Sequence, residues 1–158
     1  MDSIESGFRL ADRLVAWGTL IDTLSDLSGK RGYTSIELPC QTAYGFATRY
    51  AEITAPRPDR PVMTVAYELA STDMRPEDVF AQLVIRLGAP EKIERDELSP
   101  HAHSPDHVVL HANWRRNGRP IGLSLYGAPR ASRFGDGIGK LYVSWGDLEQ
   151  AAAPWMTA

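Results

Sequence analysis

The chain has 158 residues, 43% of them hydrophobic and 23% charged, with a formal net charge of -3. That length is enough for one buried core, so a single domain is expected over 1–158. Mixed, slightly acidic charge excludes a global attraction for polyanions, no apolar run approaches the ~18 residues that cross a bilayer, and a lone cysteine, Cys40, excludes an intramolecular disulfide.

The start, MDSIESG, has no basic lead into an apolar stretch, so no secretory signal is read there and a reducing cytoplasm is the expected setting. Across residues 8–27, Leu10, Leu14, Trp17, Ile21 and Leu24 recur at steps of four and three, joined by Phe8, Leu20 and Leu27. This periodicity predicts an amphipathic helix closed by Gly29. Segments 33–38, 44–53 and 62–69 are rich in aromatic and β-branched residues and predict strands. The proline-rich stretch 56–61 between the last two cannot sustain a hydrogen-bond ladder and reads as a loop.

Asp73 and Pro76 announce a second helix with Val79, Phe80, Leu83, Val84 and Leu87 as its buried stripe, and Gly88 and Pro90 close it. Residues 91–97 alternate in charge and read as a solvated edge or connector. Asn117-Gly118 predicts a type I′ hairpin turn, because that dipeptide tolerates two successive positive φ values. With Arg116 facing Arg119, the register sets Trp114 against Ile121, Ala112 against Leu123, and Leu110 against Leu125, all on one apolar face. The opposite face then carries His107, Val109, His111, Asn113 and Arg115, across from Gly122, Ser124 and Tyr126. A further strand is expected over 138–145. A short alanine-rich helix should run from Asp147 to about Pro154, and Trp155-Met156 offers an apolar docking tail. The expected fold is therefore α+β: a mainly antiparallel sheet of about six strands, two longer helices packed on one face, and a short C-terminal helix. Helix plus three strands, twice, also suggests two similar halves without residue-level identity.

All four histidines lie between His101 and His111. In an extended chain His101 and His103 point the same way, while His107 and His111 share a strand face, so four imidazoles are a candidate ligand set for Zn or another divalent transition metal, with Asp106 as an oxygen ligand or ring orienter. Pro105 interrupts the run, however, and four residues of strand separate His107 from His111 by roughly 13 Å. Exposed loop and strand histidines are the plainer expectation.

His111 opposite Ser124 has the composition of a base and a nucleophile. Yet Gly122-Leu123-Ser124-Leu125-Tyr126 fails the last position of G-x-S-x-G and lies inside a strand, where that motif needs a sharp turn. Residues 135–140 contain three glycines before Lys140, but Phe134 and Leu141 occupy positions where a phosphate loop needs Gly and Ser or Thr. Arg115, Arg116, Arg119, Arg130, Arg133 and Lys140 concentrate positive charge near Trp114, Tyr126 and Tyr142. The register sends Trp114 to the core, which argues against a nucleic-acid stacking platform. Cys40 reads as an inert strand-end thiol, and Glu91, Glu94, Asp96 and Glu97 as solvated carboxylates.

With no catalytic signature, the expected function is that of a small bacterial-type binding protein, such as a toxin-neutralising immunity protein or a chaperone-like adaptor. A protein partner would dock on His107, His111, Asn113, Arg115, Ser124 and Tyr126, with self-association left open. The alternative is a metal-binding protein or hydrolase dependent on His101, His103, His107 and His111.

Overall fold

A computed structural model describes residues 4–10, 13–24, 29–32, 34–72 and 74–146. Its strands are β1 (Gly7–Leu10), β2 (Arg13–Ala16), β3 (Lys30–Arg31), β4 (Ser35–Pro39), β5 (Thr42–Ala43), β6 (Phe46–Thr54), β7 (Thr64–Ala70), β8 (Lys92–Arg95), β9 (Val108–Arg116), β10 (Arg119–Arg130) and β11 (Gly137–Ser144). A 3-10 turn covers Ile21–Leu24, and the single α-helix among the described residues is α1, Pro76–Leu87. β1 and β2 form a hairpin of their own. The rest build a nine-stranded sheet in the order β3-β4-β6-β7-β11-β10-β9-β8, with β5 pairing β6 off this path.

Every pairing is antiparallel. The two meanders β4-β6-β7 and β9-β10-β11 each run from the rim inward and meet where β7 pairs with β11. Register then sorts side chains by face. One rung of paired residues reads Ala112, Leu123, Leu141, Tyr67, Ala51 and Leu38, and the next apolar rung reads Trp114, Ile121, Val143, Val65, Ile53 and Ile36. All twelve are buried and belong to one core. Helix α1 adds Val79 and Leu83 to it, with Phe80, Val84 and Leu87 packed at its margin.

The Asn117-Gly118 turn has φ values of 50° and 78°, and the β9–β10 register is the one read from that dipeptide, from Arg116 opposite Arg119 to Leu110 opposite Leu125. Helix α1 stands where Pro76 and the 79–87 stripe put it.

The expected architecture needs correction at its N-terminal end. The described residues between 8 and 24 do not form the expected helix: β1 and β2 pair there, with Phe8 opposite Val15, and the 3-10 turn follows. Phe8, Leu10 and Val15 are buried at a spacing that suits two facing strands, whereas Leu14 and Leu20, assigned to the helical stripe, are 41% and 42% exposed. Two glycines favour the hairpin. A Cβ on Gly7 would lie 2.1 Å from the Val15 carbonyl oxygen, and Gly18 adopts φ 94°, which an α-helix does not accommodate. The sheet of about six strands under two long helices thus becomes a mostly antiparallel β fold with one α-helix among the described residues. The expected C-terminal helix and the Trp155-Met156 tail lie outside the described residues. No helix among the described residues is long and apolar enough to cross a membrane.

Candidate functional site

On the sheet face opposite the core, register aligns Glu94, His111, Ser124, Lys140, Glu68 and Tyr50 in one rung across six strands. The neighbouring rung carries Lys92, Asn113, Gly122, Tyr142, Ala66 and Glu52. A row of ionisable and hydroxyl side chains on rigid strands is well placed for recognition, because little conformational freedom remains to be lost on binding. Its two ends differ in cover.

At the β6–β7 end, Glu68 is 1% exposed. Its Oε2 accepts a hydrogen bond from the Tyr126 hydroxyl at 2.9 Å and a longer one from Tyr50 at 3.5 Å. Residues 130–136 form the cover. Arg130 stacks over Tyr126 at 5.2 Å, the Phe134 ring lies 5.3 Å from that of Tyr50, and Arg133 Nε donates to Glu37 Oε1 at 3.0 Å. Arg49 anchors this segment by donating to the Asp136 carbonyl at 3.1 Å, while Ser71 N–H donates to the same oxygen. β11 enters with a glycine because a Cβ at Gly137 would lie 2.2 Å from Glu68 Oε1.

Burial raises the Glu68 carboxyl above the ordinary carboxylate range, opposed by the Tyr126 hydrogen bond and by the Lys140 and Arg130 charges. Burial, and then the Glu68 charge, raise both phenols, Tyr50 to about 12 and Tyr126 further still. Glu68 is therefore a sealed acceptor held by tyrosines and has no surface to offer a substrate.

At the β9–β10 end the face stays open. His111 Nδ1 lies 2.7 Å from Ser124 Oγ, with Ser124 6% exposed and His111 half-buried. Ser124 also bonds Tyr142, which partly offsets the upward push of burial on that phenol. Beside them is a depression of about 250 Å³ lined by His111, Asn113, Pro120, Gly122, Tyr142 and Ser144, among others. Gly122 makes its floor. A Cβ there would sit 3.5 Å from Asn113 Oδ1 and 3.6 Å from the Tyr142 ring, so a larger side chain would occupy the space.

The other expected site residues are dispersed. Leu125 pairs with Leu110, but Tyr126 pairs with Val108, so β9 carries one extra residue at this point. The bulge breaks the alternation that would carry His107 onto the face of His111. His107 instead places Nε2 2.7 Å from Asp96 Oδ2. Nor is the chain around His101 and His103 extended. Successive turns bond Ala102 N–H to Ser99 O, Ser104 N–H to His101 O and His107 N–H to Ser104 O, with Ser99 and Ser104 hydroxyls accepting from the His101 and Asp106 amides.

The His101 and His107 rings are 6.4 Å apart, and His103 lines a separate cavity of about 260 Å³ with Pro76, Glu77 and Arg95. The four imidazoles do not converge, and among the described residues no group of three or more His, Cys, Asp or Glu is arranged to hold a metal ion. Arg115 lies at the turn, its Nε 3.8 Å from Glu91 Oε1. Tyr126 is turned inward onto Glu68. Cys40 is buried, its Sγ 3.3 Å from the Thr42 carbonyl oxygen.

Glu68 and Tyr50 were absent from the residues singled out by sequence, and Tyr142 entered there only as an aromatic neighbour of the basic residues. Alternation in β7 puts Glu68 opposite Val65, Tyr67 and Leu69, which in sequence reads as a solvent position. The one trace of its role is Gly137, more than sixty residues away. No family model, curated protein or solved structure matches this chain.

Proposed function

We propose that the protein is a binding module whose open sheet face takes a protein partner, with one anchoring side chain of that partner seated in the depression beside His111. The depression carries this reading. At about 250 Å³ it falls short of the ~300–1,000 Å³ typical of small-molecule sites, yet it has room for one large side chain. Its lining suits an aromatic or planar group, with the Tyr142 and His111 rings at the sides and the Asn113 amide and Ser144 hydroxyl as hydrogen-bond partners. A cytoplasmic location accords with the buried free thiol of Cys40.

The test is site-specific photo-cross-linking in cells expressing the full chain. A cross-linker at Asn113 is expected to capture one discrete partner that Gly122→Leu abolishes, while the same cross-linker at Gln82, exposed on α1, captures nothing comparable. Capture unaffected by Gly122→Leu, or equal from both positions, would sink the proposal.

A second reading has one observation in its favour, the 2.7 Å contact between His111 Nδ1 and Ser124 Oγ, which is the reach a base needs to activate a nucleophile. Against it, Ser124 sits mid-strand between two paired neighbours, so its amide belongs to the ladder and is not available to an oxyanion. Labelling of wild type but not Ser124→Ala by a fluorophosphonate would establish a hydrolase; no labelling removes it.

A further inference from the structure

We infer that the β8 edge is a self-association surface, through which two copies pair their sheets antiparallel about a two-fold axis at Ile93. β8 is the last strand of the sheet order, and among the described residues no strand pairs its outer side. All four of its residues are exposed, Ile93 by 42%. An open edge of this kind is a template for another strand.

Backbone phase fixes which groups face outward. In an antiparallel ladder a residue's N–H and C=O point to the same side, and the side alternates along the strand. Asp96 N–H donates to Val109 O, so Asp96, Glu94 and Lys92 address β9. Ile93 and Arg95 therefore direct their N–H and C=O away from the sheet. A two-fold at Ile93 makes Ile93 and its copy a hydrogen-bonded pair; the new ladder stops before Glu91, whose N–H donates to the Asn113 carbonyl at 2.7 Å and so faces β9.

Charge selects the same register. Edge strands ordinarily use charge to repel one another, but the order Lys92-Ile93-Glu94 is self-complementary when reversed. About Ile93, Lys92 meets Glu94 twice, and the exposed Ile93 meets its own copy on the apolar side. Sliding by one phase-compatible step brings Lys92 against Lys92 or Glu94 against Glu94, which is repulsive. In the monomer, Lys92 and Glu94 satisfy each other at 2.8 Å, and pairing exchanges this for two contacts between chains. The four-residue edge buries less than the ~1,200 Å² of a standard interface, so a reversible dimer in the high-micromolar range is expected. It would set the two open faces side by side, with the β9 strands that carry His111 about three strand spacings, roughly 14 Å, apart.

Sedimentation equilibrium of the full chain, up to about 1 mM, tests this directly. Wild type should show a monomer–dimer equilibrium. Lys92→Glu or Glu94→Lys alone should weaken it by about tenfold or more, since each creates two like-charge contacts. Mixing these two variants should restore a heterodimer at wild-type strength, and the double variant Lys92→Glu/Glu94→Lys should restore the homodimer. Ile93→Pro, tolerable where the N–H faces outward, should abolish association while circular dichroism stays unchanged. A wild-type chain that remains monomeric throughout overturns the inference, as does a failure of mixing to rescue the single swaps.

Discussion

At one end of the polar face, Glu68 and Tyr126 lie beneath residues 130–136 and are shut off from water; at the other, His111, Asn113 and Tyr142 stand on adjoining rungs of the same sheet and stay half open. Both ends are built from hydrogen-bonding residues at polar positions of the strand alternation. They differ in what lies above them. Strand register decides which face a side chain takes, but the segment folded over it decides its dielectric surroundings, and with them whether a carboxylate becomes a structural acceptor or a recognition group.

The largest expected effect comes from removing the acceptor at the covered end. Glu68→Ala leaves the buried Tyr126 hydroxyl unpaired and opens a cavity, and should lower stability by about 2–3 kcal/mol in urea denaturation. A loss no larger than that of an exposed carboxylate would remove the distinction between the two ends. Glu68→Gln sharpens the same point through pH. The folded-state carboxyl titrates above its unfolded value near ~4.3, so between the two the native state binds more protons and stability falls as pH rises. Wild type should therefore lose stability relative to Glu68→Gln between pH 4 and pH 7, with other carboxylates cancelling in the difference; a flat difference contradicts it.

Next in size is Gly137→Ala, which drives a Cβ into the Glu68 carboxyl and should cost about 1–2 kcal/mol. In a Glu68→Ala background the cost should shrink, a coupling that a double-mutant cycle measures. Phe134→Ala strips cover from the Tyr50 side and should cost about 1 kcal/mol while moving the Glu68 carboxyl titration, followed by NMR, down toward the ordinary range. The smallest change belongs to the open end: Ser124→Ala removes contacts that water can replace at the half-buried His111 and Tyr142, and should cost under about 1 kcal/mol by the same denaturation assay.

Much of the second half was legible in the sequence. Asn117-Gly118 fixed four cross-strand pairs, and α1 followed from Pro76, the 79–87 stripe and Gly88. The N-terminal segment was not, because apolar residues at 8, 10, 14, 15, 17, 20, 21 and 24 satisfy a 3.6-residue period and also leave Phe8, Leu10 and Val15 for a hairpin. Gly7 and Gly18 held the discriminating information, but only a known pairing partner shows why Gly7 has no Cβ. Within the site, His111, Asn113 and Ser124 came together as local register implies, while the β9 bulge and the turns of 99–107 separated His101, His103 and His107 from them.

By itself the sequence determined what short-range chemistry can dictate: the hairpin turn, the helix stop signals, and the alternation that separates an apolar from a polar face along β9 and β10. The tertiary structure alone decided that β7 lies against β11, and hence that Glu68 meets Tyr126 and Gly137 beneath the 130–136 cover. The physical reason is distance along the chain. Those contacts join segments some sixty residues apart, and nothing in either segment's own periodicity carries the identity of its partner.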